Sequence, residues 1–206
     1  MATPATEKRL PGECSLLRLH NSVRDAVDFL WRRVYGTMKR HPSLEAFSRD
    51  HNVGLILGRR LVQAADADDA AREKAARELI EYWNDELREH FAVEERLLTH
   101  LIPDWDMRTR LCGEHLELAE RVARLEKGET DPESLRQLGT GLGDHIRWEE
   151  RVLFPAIEEA LTEEQLRALG ELTERLEQER ANSRWAPRRG ELMQRRNSGR
   201  ANPQDR

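Results

Sequence analysis

Seven histidines occur in the chain: His20, His41, His51, His90, His100, His115 and His145. Four of them fall on apolar stripes at helical spacing. His51 is four residues from both Phe47 and Leu55. His90 sits between Leu87 and Glu94, and Leu97 and Leu101 continue that face. His115 sits between Leu111 or Cys112 and Leu118 or Val122, and His145 between Leu138 or Leu142 and Glu149, with Val152 beyond. Two of these histidines have a glutamate four residues later, His90–Glu94 and His145–Glu149. Residues i and i+4 share one helix face, so both carboxylates follow their histidines inward. A buried glutamate is costly unless it is paired, hydrogen-bonded or bound to a metal. Four imidazoles and two carboxylates exceed the needs of one tetrahedral zinc. They suit two ions, each with two imidazoles, bridged by the two glutamates. Iron, manganese and zinc all fit these donors; the lack of thiolate ligands disfavours copper(I) and iron–sulfur clusters.

A single inward histidine is more often a satisfied core residue, and a single HxxxE an exposed ion pair. The joint pattern, one inward histidine on each of four successive helices with HxxxE on two of them, favours metal. Glu95 and Glu150 lie about 100° further round their helices and are expected to face a flank or solvent. His100 belongs to a helix end, where a cation suits the dipole. His41 precedes a proline in a linker, and His20 lies near a stripe outside the pattern. Cys112 reads as a small buried apolar residue, and Trp83 as core or as a pocket wall.

Helices must position these donors. An apolar stripe at Leu16, Leu19, Val23, Val27, Leu30 and Val34 makes a first helix, ended at Gly36. Ser43 is a plausible N-cap for a second, 43–65. Further helices are expected at 70–101, 107–127 and 132–160. Gly128 closes the third of these four, Asp131-Pro132 opens the fourth, and a kink is expected at Phe154-Pro155. A shorter helix follows at 162–180, then an Arg-rich tail with prolines and glycines, expected to be disordered. Short connectors make neighbours antiparallel. The expected fold is therefore all-α: an antiparallel up-down four-helix bundle over 38–160, an extension with one helix over 1–37, a C-terminal helix over 161–184 and a basic tail over 185–206.

Composition narrows the function classes. The 206 residues are 35% charged and 38% hydrophobic, with a net charge of −5, which argues against a general nucleic-acid binder. No apolar run is long enough for a membrane span, and residues 1–14 lack the apolar core of a secretory signal. Two cysteines, Cys14 and Cys112, make no disulfide scaffold. A cytoplasmic setting without membrane or nucleic-acid partners is the expectation.

The segments Ser48-Arg-Asp-His-Asn-Val-Gly-Leu55, His90-Phe-Ala-Val-Glu-Glu95, Glu114-His-Leu-Glu-Leu118 and Asp144-His-Ile-Arg-Trp-Glu-Glu-Arg-Val-Leu-Phe-Pro155 resemble the hemerythrin-like HHE cation-binding family in order and spacing. The resemblance implies a four-helix bundle holding a non-haem di-iron centre. It implies that His51 and His90 bind one iron, that His115 and His145 bind the other, and that Glu94 and Glu149 bridge beside an oxo or hydroxo group. Oxygen-carrying hemerythrins have a further histidine four residues from the one on the third bundle helix. Here those positions are Leu111 and Ala119. Both irons are then open, which suits sensing, detoxification or iron handling better than bulk oxygen transport. ExxH motifs, used by ferritin-like proteins, are replaced here by HxxxE. The expected function is a metal-binding module taking oxygen, nitric oxide or peroxide. The alternative is an enzyme with peroxidase, oxidase or nitric-oxide-reducing activity at the same centre.

Overall fold

The structure is a computed structural model that describes residues 40–180. Cys14, His20, the helix expected near the N-terminus and the basic tail lie outside the described residues. The described elements are all helical. Helix α1 (Glu45–Ala64) follows a 3₁₀ turn, Pro42–Leu44. Helix α2 (Asp69–Tyr82) passes through a π turn, Trp83–Leu87, into α3 (Arg88–Leu98). Helix α4 is Trp105–Glu126. Helix α5 (Pro132–Trp148) passes through a second π turn, Glu149–Leu153, into α6 (Phe154–Ala160). Helix α7 is Glu163–Arg180. Among the described residues, no helix is long and apolar enough to cross a membrane.

Local sequence explains most boundaries. Asp68, Asp104 and Asp131 each accept a hydrogen bond from a backbone N–H in the first turn of α2, α4 and α5. Pro132 follows its cap at the first helical position, where its missing N–H costs nothing. Gly128 ends α4 with φ of 92°, and the Glu129 and Gly128 N–H groups turn back onto the Arg124 and Leu125 carbonyls. Ser43 does not cap α1. It is the buried middle residue of the 3₁₀ turn, where the His41 ring accepts its N–H at 3.3 Å. Its carbonyl accepts from Thr173 of α7, which docks that helix over the start of α1.

The seams between helices can be followed residue by residue. Gly54 faces Ile146, Gly58 faces Gly139 and Asp66 pairs with Arg136, so numbers rise along α1 as they fall along α5. The same opposed order holds for Asn84 with Glu126 and Glu95 with His115, and for Glu114 with His145 and Arg121 with Gln137. A Cβ on Gly58 would stand 2.9 Å from the Gly139 carbonyl oxygen, so glycine at both positions lets the α1 and α5 backbones touch.

Two apolar clusters fill the interior. One contains Val53, Leu57, Leu61, Phe91, Leu118, Leu138, Leu142 and Ile146. The other contains Leu44, Phe47, Val93, Leu111, Trp148, Leu153, Phe154 and Ile157. On each donor-bearing helix the chain passes from one cluster to the other, and the candidate donors occupy the crossing.

The two π turns shift this register. The Phe154 N–H bonds to the Glu149 carbonyl, five residues back. The wider turn moves the inward face on, so Leu153 is buried while Val152, expected inside, is 38% exposed. Pro155 then sits in the first turn of a new helix segment. The break expected at Phe154-Pro155 therefore takes the form of a π turn just before it.

Candidate metal centre

His51 comes from α1, His90 and Glu94 from α3, His115 from α4, His145 from α5, and Glu149 from the first position of the second π turn. All six are brought together, and none is more than 3% exposed. They form two triads, His51–His90–Glu94 and His115–His145–Glu149, with ligand atoms in each within 4.8 Å of one another.

The carboxylates do not stay within their triads. Glu94 turns Oε1 to His51 and His90, at 3.4 and 3.2 Å from their Nε2 atoms, and Oε2 to His115 Nε2 at 3.5 Å. Glu149 turns Oε2 to His51 Nε2 at 3.1 Å and Oε1 to His145 Nε2 at 3.3 Å. Each glutamate thus presents one oxygen to each half of the cluster. None of these oxygens or Nε2 atoms has a hydrogen-bond partner. They attract as charges at these separations without the alignment of a hydrogen bond.

The opposite ring nitrogens are all held. The Nδ1 atoms of His51, His90, His115 and His145 lie 2.6, 3.1, 2.9 and 2.8 Å from Glu150, Asp50, Glu95 and Glu114. Glu95 and Glu150 do lie on flanks of their helices, as expected, and there they bond to histidines of neighbouring helices. Asp50 and Glu114 each stand just before a candidate histidine in sequence, and the helical pattern alone assigns them no role. Their signal was that adjacency: a residue one step from an inward position can reach the flank of the next helix. Such outer carboxylates fix the tautomer and orientation of a metal-binding imidazole.

Aromatic rings clamp the histidines. His51 stacks on Phe154 at 5.4 Å, and His115 on Phe91 at 3.9 Å. Trp83 meets Phe91 edge-on, so it stands one ring behind His115 as core. The remaining candidates fall elsewhere. His100 is exposed in the turn after α3. His41 bonds to Ser43 and lies 3.5 Å from Glu163. Cys112, expected to be buried, is exposed, because three residues before His115 on α4 already carries it past the inward stripe.

The charges are strongly coupled. Burial lowers the His90 pKa, but Glu94 and Asp50 outweigh it and hold the ring at about 9. Burial likewise opposes charge on His115, yet Glu149 and Glu94 bring it to about 10. His51 is raised well above its ordinary value by Glu149, Glu150 and Glu94 against the effect of burial. Glu94 is held well below the usual carboxylate range, burial being overcome by His90, His115 and His51. Without a metal, protons must therefore neutralise the cluster. A cation of higher charge can replace them.

No curated protein and no solved structure matches the chain. The family model for the hemerythrin HHE cation binding domain matches residues 43–157, a span containing all six inward donors and all four carboxylates behind the histidines. The chain belongs to the hemerythrin HHE cation-binding domain family.

Proposed function

We propose that this chain is a metal-binding module in which an antiparallel up-down four-helix bundle holds a pair of ions, iron by preference. His51 and His90 hold one ion, His115 and His145 the other, and Glu94 and Glu149 bridge them. One observation carries the reading: four Nε2 atoms and four carboxylate oxygens, all buried, point into one space with no hydrogen-bond partner. Leaving such groups unpaired is costly, and a bound cation removes the cost. The division of each glutamate's oxygens between the two halves supports bridging.

Imidazole and carboxylate donors suit iron, and manganese and zinc are also accommodated. A bound iron pair supplies electron exchange with oxygen, nitric oxide or peroxide. The protein's own part is to orient the imidazoles, exclude water and keep two carboxylates between the ions. Leu111 and Ala119 add no further imidazole, so both ions keep room for an outside ligand. That favours sensing, detoxification or iron handling. Anaerobic titration with ferrous ion should saturate at about two equivalents per chain. Addition of oxygen or peroxide should then give a spectral change of fixed stoichiometry. Sustained consumption with a reductant present would move the reading to an enzyme, and failure to saturate would refute the metal pair.

A further inference from the structure

The carboxylates behind the histidines form a closed circuit. Asp50 of α1 holds His90 of α3, and Glu95 of α3 holds His115 of α4. Glu114 of α4 holds His145 of α5, and Glu150 in the π turn after α5 holds His51 of α1. Each donor-bearing helix thus supplies one acidic side chain to the histidine of the next, and the last returns to the first. A neutral carbonyl or amide oxygen in those places would accept the same Nδ1–H. Four separate acids do more than orient a ring, because they also put negative charge behind every ligand nitrogen.

We propose that Asp50, Glu95, Glu114 and Glu150 are positioning residues that bias the metal pair toward its higher charge state, with Asp50 the strongest. This rests on the metal-pair reading above. Six carboxylates surround the pair, two between the ions and four behind the imidazoles, so their formal charge matches that of two trivalent ions. Outer carboxylates raise the donor strength of imidazole ligands, which favours the more highly charged metal. The four are not equivalent. Asp50 is 2% exposed, so little solvent screens its charge, whereas Glu95 is 44% exposed. Glu114 is partly offset by Arg110, 2.7 Å away. The influence should therefore fall from Asp50 to Glu95.

The test uses the full chain loaded with iron, and amide variants that keep the acceptor oxygen while removing the charge. Asp50→Asn should lower the ferric-over-ferrous preference about tenfold, raising a one-electron midpoint potential by about 59 mV. Glu95→Gln should shift that preference by about threefold or less, since solvent already screens the carboxylate. An unchanged potential in Asp50→Asn that still holds its iron would overturn the proposal. So would a shift in Glu95→Gln as large as in Asp50→Asn. A second measurement needs no metal. Proton spectra of the metal-free protein should show slowly exchanging, downfield Nδ1–H signals from the four rings, and Asp50→Leu should remove the one belonging to His90. Absence of these signals from the unsubstituted protein would overturn the positioning role. Their presence in a chain that takes up no iron would instead refute the metal reading while sustaining the circuit.

Discussion

The two halves of the centre share a plan and differ in their surroundings. Each has two imidazoles and one oxygen from each of Glu94 and Glu149, and each has one ring stacked on a phenylalanine. The His51–His90 half is backed by Glu150 and the buried Asp50. The His115–His145 half is backed by Glu95 and Glu114, of which Glu95 is 44% exposed and Glu114 is shared with Arg110. Equal inner donors with unequally screened outer carboxylates teach that two halves of one site can share a donor set and still differ in electrostatics. The His51–His90 half is the deeper of the two in one respect: Asp50 behind it is 2% exposed, whereas Glu95 behind the other is 44% exposed.

The largest effect should follow from breaking what the halves share. Glu94→Gln and Glu149→Gln keep the shape but remove a negative charge between two cations. Each should lose at least one ion and weaken the other about 10- to 100-fold, read by metal analysis after dialysis. Retention of both ions would end the bridging assignment. Next come substitutions confined to one half. His115→Ala should leave about one ion per chain in the deeper half, whereas His90→Ala should leave a weaker, more easily chelated ion. Equal chelation rates for the two survivors would erase the comparison.

What could be read from the sequence followed from periodicity. A 3.6-residue repeat places His51, His90, His115 and His145 on inward stripes, and the i+4 rule brings Glu94 and Glu149 with them; the structure unites all six. The carboxyl cap at Asp131 and the left-handed Gly128 are local features, and the sequence shows them for that reason. Cross-helix facts were not. The outer bonds of Glu95 and Glu150 depend on how far a neighbouring helix stands from each flank, which a 100° step on one helix does not reveal. Val152 was misplaced because the π turn changes the period on which its position was judged. Ser43 was misplaced because a 3₁₀ turn and the docked α7 took its backbone and side chain inside.

Acidity acts on both halves together, and more gently. In the metal-free protein, folded His90 and His115 titrate at about 9 and 10, above an unfolded value of about 6.5. Their stabilisation is complete below the unfolded value and is lost as pH rises through the folded ones. Glu94, held low, contributes above an unfolded value of about 4.3 and loses its contribution as pH falls through its lower folded value. The thermal midpoint of the metal-free chain should therefore be highest in mildly acidic to neutral solution and decline toward pH 10. Metal affinity should do the reverse and rise with pH, because the ion displaces protons. A metal-free midpoint that rises between pH 7 and 10 would contradict the coupled charges.

Packing gives a smaller effect, common to both halves. Gly139→Ala places a methyl against the Gly58 carbonyl and the Val62 side chain, and should destabilise the fold by about 1–3 kcal/mol in urea unfolding. Because α1 and α5 carry His51 and His145, one from each half, the two ions should weaken together. Smallest of all, His100→Ala and Cys112→Ser alter exposed positions and should leave metal content unchanged.

The most direct measurement is a crystal structure of the iron-loaded full chain with anomalous data collected at the iron edge. The account predicts two peaks, one against His51 and His90 and one against His115 and His145, with Glu94 and Glu149 each touching both. A single peak, or iron bound away from these six side chains, would contradict it.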